Sequence, residues 1–229
     1  IDRFLQEKIT REGPIAFSDF MQTALYYPKY GYYSQATIRQ SPLGDYITAP
    51  TLGPLFSDAI ANYLSHLLKE NPDWDIAEFG PGAGTLACNL LDTLQDRGVT
   101  PSNYHLIEPF PLPQKRLSTY LGNQSSYIQS VCKITAALPH GFRGIVLANE
   151  VLDAFPVDLL QTDSEKNLYA VCVNWENHGY YFSQKTAPSS LLTLFNSRCI
   201  PIYPNYRYEL NRRYLHWLTE LSHSMASGQ

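Results

Sequence analysis

The sequence predicts an α/β fold with a doubly wound parallel sheet. Three observations support this prediction: a glycine-rich turn between an apolar strand and a helix, further apolar strands that alternate with helical segments, and polar residues where those strands end. Strands that alternate with helices pair in parallel, and such sheets bind ligands beyond the carboxyl ends of their strands. We therefore expect a ligand site at that edge of the sheet.

Composition limits the class of protein. The 229 residues suffice for one large domain or a domain with a small cap, and 44% of them are hydrophobic. The net charge of −4 argues against electrostatic binding of nucleic acid, which requires a basic surface. No run approaches the roughly 18 apolar residues of a membrane span. The four cysteines and six histidines lack metal-ligand spacing, so we expect no metal site and a reducing compartment.

The N-terminal part is predicted to be helical. Ile1, Leu5 and Ile9 share one face of a short helix that ends at Gly13-Pro14. Ser18 is a candidate N-cap for a second helix, from about Asp19 to Tyr26. A tyrosine-rich turn at 26–33 follows, and its side chains suit either packing on the core or lining a channel or interface.

The central prediction concerns residues 75–86. Asp75 to Phe79 has the length and apolarity of a buried strand, and Gly80-Pro81-Gly82-Ala83-Gly84 cannot continue it. Apolar residues then recur with helical spacing from Leu86 onward. A glycine loop that opens a helix lets the backbone approach a ligand and presents free N–H groups to an anion. We therefore predict a nucleotide or cofactor site here, although the third glycine comes one residue earlier than in the dinucleotide fingerprint.

Three further strands are predicted downstream. The first, Tyr104 to Ile107, ends in Glu108, which can accept hydrogen bonds from the ribose hydroxyls of a cofactor. The alternative for Glu108 is a solvated glutamate at the end of a strand. The next strands are predicted at Tyr127 to Val131 and at Gly144 to Glu150.

The C-terminal third departs from plain alternation of strands and helices. Two predicted strands, Leu168 to Asn177 and Tyr180 to Gln184, flank Asn177-His178-Gly179, which is typical of a hairpin. They predict an inserted β-element. The last helix is expected to end at Ser227-Gly228, and it carries an apolar stripe of Tyr214, Leu218, Leu221 and Met225.

Four segments, in this order, resemble the MidA-like family of S-adenosyl-L-methionine (SAM)-dependent methyltransferases: GPIAFSDFMQTALYYPKYGYYS, GDYITAPTLGPLF, AEFGPGAGTL and ANEVLDAFPV. The third segment is similar to motif I of class I methyltransferases in general, and the others are more specific. The resemblance extends over roughly residues 11 to 160. It implies a Rossmann-like class I sheet with SAM as the cofactor. Mitochondrial members of the family methylate an arginine of a respiratory complex I subunit during assembly of that complex.

The resemblance also assigns cofactor residues. Motif I implies that Glu78, Gly80, Gly82 and Gly84 bind SAM, with Glu108 on the ribose. Asp45, in the GDY segment, is implied to hold the ammonium group of the cofactor, and a turn aspartate that bonds its own backbone is the alternative.

The resemblance further implies a division into two domains. Residues 1–70 form a helical lead-in and cap of the cofactor site, and 71–229 form the SAM-binding domain with the inserted β-element. Family members are longer, so the strand after the last helix is expected to be missing or supplied elsewhere.

The predicted catalytic residues are Asn149 and Glu150, which end the last predicted strand of the sheet, and Asp153, which follows it. In a helical turn Glu150 and Asp153 would share one face, and two carboxylates can bracket a guanidinium. Glu150 is the first candidate for orienting the guanidinium and accepting its proton, with Asp153 second. The alternative is that Asn149 and Asp153 only cap a turn between strand and helix.

These observations predict a SAM-dependent protein methyltransferase with arginine as the acceptor residue. The resemblance implies a complex I-type subunit as the protein partner, and we expect no nucleic-acid partner and no membrane insertion. A non-catalytic SAM-binding assembly factor and a nicotinamide-dependent oxidoreductase are the alternatives. The expected compartment is the cytoplasm for a bacterial source and the mitochondrial matrix for a eukaryotic one, with the cytoplasm preferred.

Overall fold

The structure, a computed structural model, describes residues 1–28, 30–34 and 49–229. They form two compact units, each made of two segments of the chain. The antiparallel unit contains Ile1–Tyr32 and Ala154–His216, and the parallel unit contains Tyr33–Asp153 and Trp217–Gln229. This grouping does not test the predicted division into domains at residues 70 and 71, which stays a prediction.

The described helices are α1 (Asp2–Glu12), α2 (Phe17–Tyr26), α3 (Ala49–Leu52), α4 (Leu55–Glu70), α5 (Thr85–Asp96), α6 (Pro111–Leu121), α7 (Ser126–Val131), α8 (Ser189–Ser197) and α9 (Arg213–Ser224). The strands are β1 (Ile15–Ala16), β2 (Asp75–Phe79), β3 (Tyr104–Ile107), β4 (Cys132–Thr135), β5 (Phe142–Leu147), β6 (Asp158–Thr162), β7 (Leu168–Glu176), β8 (Gly179–Thr186), β9 (Arg207–Leu210) and β10 (Met225–Gly228). Short 3₁₀ turns lie at Tyr32–Ser34 and Leu152–Ala154. None of the described helices is long and apolar enough to cross a membrane.

The parallel unit contains a five-stranded sheet in the order β10-β5-β2-β3-β4, and every neighbouring pair is parallel. In the middle strand β2, Ile76 lies opposite Tyr104 of β3 and Ile145 of β5. Parallel neighbours need crossover connections, and α5, α6 and α7 lie in those between β2, β3 and β4. The predicted α/β class with a parallel sheet is therefore confirmed.

Both faces of the parallel sheet are covered, as its apolar strands require. One face packs Ile76 and Tyr104 against helices, and the helix residues buried there include Leu64, Leu68, Leu90, Leu91, Leu94 and Leu117. The other face packs Ala77 and Ile107 with Leu221, and the Phe79 ring meets the Trp217 ring edge-on at 5.1 Å. β2 is thereby held at the centre of the unit.

Three predictions about the sheet and the helix before its last strand are wrong. Tyr127 to Val131 is part of helix α7 and not a strand. Ser125 caps this helix, since its hydroxyl accepts a hydrogen bond from the Ile128 N–H at 3.3 Å. The strand follows the helix as β4. The strand after the last helix, expected to be missing or supplied elsewhere, is present as β10 and pairs with β5. Ser227 and Gly228 belong to β10 and do not end a helix. β10 has small side chains without apolar alternation, so its strand conformation depends on pairing with β5.

The antiparallel unit contains a second sheet, in which β7 pairs with β1, β6 and β8, and β6 pairs with β9. The predicted hairpin is confirmed as β7 and β8. Asn177 and His178 connect them with φ of 50° and 63°. Two residues with positive φ form the type of tight turn that matches strand twist.

A buried acid ties the antiparallel unit together. Asp158, 6% exposed, accepts hydrogen bonds from the Ser18 hydroxyl at 2.7 Å and from Arg212 Nε at 2.5 Å. The predicted N-cap role of Ser18 is wrong, since α2 already begins at Phe17. The serine hydroxyl instead joins α2 to β6.

Candidate functional site

The glycine loop joins β2 to α5 at the carboxyl edge of the parallel sheet. Gly80, Gly82 and Gly84 have φ of 62°, 55° and 86°, in the left-handed region where other residues are strained. Gly84 directly precedes α5, and no described side chain caps that end of the helix. Its first backbone N–H groups and the helix dipole therefore suit an anionic group such as a carboxylate.

Neighbouring elements crowd the space that a side chain would need at two of these glycines. A Cβ on Gly84 would lie 2.8 Å from Leu117 Cδ1 of α6, and one on Gly80 would lie 3.2 Å from Val151 Cγ2. The optimal separation of two carbon atoms is about 3.5 to 4.0 Å. The Val151 contact also shows that the segment after β5 lies directly against the glycine loop.

Glu108 lies half-buried beside the start of this loop. It follows β3 as Gly80 follows β2, and the Gly80 N–H donates to the carbonyl of Ile107 at 3.2 Å. Glu108 Oε1 accepts a hydrogen bond from the Phe110 N–H at 3.0 Å, whereas Oε2 accepts none from the described residues. Burial raises the pKa of this carboxyl, and the Phe110 bond and the Arg116 charge oppose the rise. An acid fixed through one oxygen can accept a ribose hydroxyl with the other, so the predicted role is chemically sound and stays a prediction.

Glu78 is buried in the parallel unit, two residues before the first loop glycine. Its residue surface is 3% exposed, and the Tyr104 hydroxyl donates to Oε2 at 2.8 Å. Burial raises the pKa of the carboxyl to about 7, and the Tyr104 bond only partly opposes that shift. Glu78 therefore behaves differently from a solvated acid, and its predicted role toward the cofactor stays open.

The predicted catalytic residues follow β5. Glu150 is exposed and has φ of 51°, which is uncommon for a residue other than glycine and is a kind of strain that concentrates at functional sites. The 3₁₀ turn at Leu152–Ala154 contains Asp153 but not Glu150. The argument from a shared helical face therefore does not apply to this pair. The catalytic roles of Asn149, Glu150 and Asp153 stay predictions.

Asp45 lies outside the described residues, so its role toward the ammonium group stays a prediction. The described part of the tyrosine-rich turn belongs to the antiparallel unit as far as Tyr32. There the Tyr26 hydroxyl donates to the Ala154 carbonyl at 2.7 Å, and the rings of Tyr27 and Tyr30 stack at 6.5 Å. These contacts favour packing for part of the turn.

Three residues beside the predicted site were missed in the sequence. Tyr104 bonds Glu78, Leu117 closes the space at Gly84, and Val151 closes it at Gly80. A signal existed for Tyr104, because its position opposite Ile76 puts it on the same sheet face as Glu78. The other two contacts depend on how α6 and the segment after β5 pack, which no local pattern indicates.

Comparison with known proteins gives a family. The family described as "Putative S-adenosyl-L-methionine-dependent methyltransferase" matches residues 58–229. The chain is 29% identical over 180 residues to the mitochondrial protein arginine methyltransferase NDUFAF7 homolog of Caenorhabditis elegans, and 29% identical over 203 residues to mitochondrial NDUFAF7 of Danio rerio. These matches include 69% and 77% of this chain but 42% and 48% of the relatives. The chain thus spans less than half the length of these curated relatives.

Solved structures agree with the family match. Two crystal structures of Burkholderia thailandensis proteins superpose with a TM-score of 0.83 at 28% identity, over 98% of this chain and 57% and 59% of theirs. One of them is bound to S-adenosyl-homocysteine. The predicted Rossmann-like fold is confirmed by this similarity, and SAM is confirmed as the cofactor of the family. Because the family match extends over most of the chain, the protein belongs to the MidA-like family of SAM-dependent methyltransferases.

Proposed function

We propose that this protein uses SAM to methylate another protein, with arginine as the acceptor residue. The observation that carries the proposal is the proximity of the glycine loop to the segment after β5, since a Cβ added to Gly80 would lie 3.2 Å from Val151 Cγ2. The family supports methyl transfer. The names of the nematode and zebrafish relatives support a protein arginine as the acceptor.

The cofactor side of the proposed site is made by the ends of β2 and β3. The N–H groups at the start of α5 are suited to the carboxylate of the methionine part, and Gly80, Gly82 and Gly84 let the backbone come close to it. Glu108 is proposed for the ribose hydroxyls and Asp45 for the ammonium group. When bound, SAM supplies an electrophilic methyl group.

The acceptor side is proposed to be Asn149, Glu150 and Asp153. A guanidinium is a poor nucleophile, so a carboxylate has to orient one nitrogen, stabilise the growing charge and take up the proton that this nitrogen loses. Glu150 is suited to that role because it is exposed and adjoins Val151, whose side chain lies close to Gly80 of the glycine loop. Asp153 and Asn149 would hold the remaining guanidinium nitrogens.

The decisive experiment separates binding from chemistry. Glu150→Gln is nearly isosteric but cannot take a proton, so we expect unchanged SAM affinity and a loss of about 10²-fold or more in methyl transfer. Asp153→Asn should lose less. Glu70→Gln, an exposed glutamate at the end of α4, is the matched control and should leave both quantities unchanged. Calorimetry with SAM and transfer of radiolabelled methyl to a protein acceptor give the two readouts.

The results also decide between the alternatives. A Glu150→Gln variant with full turnover would remove this residue from the mechanism. SAM binding without transfer to any protein acceptor would favour the non-catalytic assembly factor, and binding of NADH in place of SAM would favour the oxidoreductase. Following the resemblance, a complex I-type subunit is the first acceptor to test, and mass spectrometry of methylarginine in cells with and without the gene identifies others. The relatives are named mitochondrial, and the compartment of this protein stays a prediction.

A further inference from the structure

Glu78 is a buried acid to which the proposed methyl transfer assigns no chemical step. It lies on the middle strand of the parallel sheet, and its carboxyl receives one hydrogen bond within the described part of the chain, from the Tyr104 hydroxyl. Burying a carboxylate is strongly unfavourable unless charges or several donors compensate for the lost water. One neutral hydroxyl is weak compensation, so the surroundings favour the protonated acid.

The groups that face Glu78 supply no positive charge. They are Tyr104 on β3, Cys88 on α5 and Cys132 on β4. Burial raises the pKa of Cys88 to about 11 and that of Cys132 to about 12, and it raises the pKa of Tyr104 as well. All three are therefore neutral near pH 7. No ion pair to Glu78 occurs among residues 1–28, 30–34 and 49–229.

We propose that Glu78 holds a proton in the cofactor-free protein and releases it to solvent when SAM binds at the glycine loop. The inference rests on the proposed function, because it needs SAM at Gly80 to Gly84. SAM carries a sulfonium, an ammonium and a carboxylate group, so its net charge is positive, and a net positive charge brought near a buried carboxyl favours its charged form. Glu78 is on β2, two residues before the first loop glycine, so SAM bound at the loop would bring its charge to the end of the strand that carries Glu78.

The linkage has a definite pH dependence. With a pKa of about 7 in the cofactor-free protein, Glu78 is mostly protonated at pH 6 and mostly ionised at pH 8, so the proton released per SAM bound should decrease from pH 6 to pH 8. Below pH 7 the SAM affinity should fall by about tenfold per pH unit from this group alone. Above pH 7 the contribution of Glu78 to the pH dependence should vanish.

Calorimetry of SAM binding to the 229-residue chain measures the proton directly. In buffers of different ionisation enthalpy at pH 6, the observed heat should vary with the buffer, and the slope gives the number of protons. Glu78→Gln is the matched variant, because glutamine keeps the shape and an acceptor for Tyr104 but has no proton to release. The difference in slope between the two proteins isolates Glu78 from any proton on SAM itself.

A measurement on the cofactor-free protein keeps the test independent of Glu78→Gln folding. The NMR shift of the Glu78 carboxyl carbon should titrate near pH 7, and Tyr104→Phe should move the midpoint upward because the bond that favours the carboxylate is lost. A midpoint near the ordinary glutamate value would overturn the proposal. SAM binding with equal slopes for wild type and Glu78→Gln would overturn it while leaving the proposed function intact. No SAM binding at any pH would overturn both.

Discussion

Gly84→Ala tests the close packing around the glycine loop, and Gly98→Ala at the other end of α5 is its matched control. Both glycines are in the left-handed region, with φ of 86° and 69°. A Cβ at Gly98 meets nothing within 4 Å, whereas one at Gly84 would lie 2.8 Å from Leu117 Cδ1 and 3.5 Å from the Tyr120 ring. The two variants share the backbone strain and differ in the collision.

The magnitudes follow from these two effects. An L-residue in the left-handed region costs about 1 to 2 kcal/mol, which is the whole expected destabilisation for Gly98→Ala. Overpacking adds about 1 to 3 kcal/mol, because Leu117 is fully buried and cannot turn away freely. Gly84→Ala should therefore lower the free energy of unfolding by about 2 to 5 kcal/mol.

Urea denaturation of the cofactor-free chain measures both losses under one set of conditions. A double variant, Gly84→Ala with Leu117→Ala, adds a sharper test, because removing the Leu117 side chain makes room for the new methyl group. The two changes should be less destabilising together than the sum of their separate effects. Equal losses for Gly84→Ala and Gly98→Ala, or strict additivity in the double variant, would refute the packing argument.

Three other predictions follow from the acids. Glu78 has a folded pKa of about 7, above its unfolded value of about 4.3, so the folded state binds more protons and stability falls as pH rises from about 4 to about 7. Glu78→Gln should thus gain about 2 to 3 kcal/mol over wild type between pH 5 and pH 8, and a constant difference in urea melts would contradict this. Glu108→Ala should weaken SAM binding by about 1.5 to 3 kcal/mol with little change in stability, and an affinity within a factor of two of wild type would assign the ribose to another residue. Asp158→Ala should destabilise the protein by about 2 to 3 kcal/mol. This is below the usual cost of breaking a buried ion pair, because the Arg212 side chain is 52% exposed. A loss of stability within 0.5 kcal/mol, as for a surface position, would show that the pair contributes little.

Local patterns were sufficient for the centre of the fold. The strand at Asp75–Phe79, the glycine loop and α5 are all predicted correctly. An apolar run, closely spaced glycines and apolar residues at helical spacing follow one another there, and each pattern indicates one element. The hairpin of β7 and β8 is predicted for the same reason, with residues tolerant of positive φ between two apolar strands. Elements that depend on interactions between residues close in sequence can be predicted from the sequence.

Elements that depend on contacts between residues far apart in the sequence could not be predicted. Cys132–Thr135 is a short strand directly after a helix, and only its pairing with β3 distinguishes it. β10 has no apolar alternation and exists through its pairing with β5. In the site, strand ends could be predicted from the order of elements, whereas the burial of Glu78 and the left-handed backbone of Glu150 required the tertiary structure.

The antiparallel unit is completed by segments that leave the ribosome far apart in time. Ser18 and Asp158 are 140 residues apart, and Lys185, which donates to the Pro14 carbonyl, is 171 residues from it. Synthesis proceeds at about 5 to 20 residues per second, so roughly 7 to 28 s pass between the synthesis of Ser18 and that of Asp158. During that interval Leu5 and Ile9 of α1 lack the sheet residue Val173 against which they finally pack. We expect the nascent segment that contains α1 and α2 to be a target for chaperones that shield apolar helix faces until the second segment emerges.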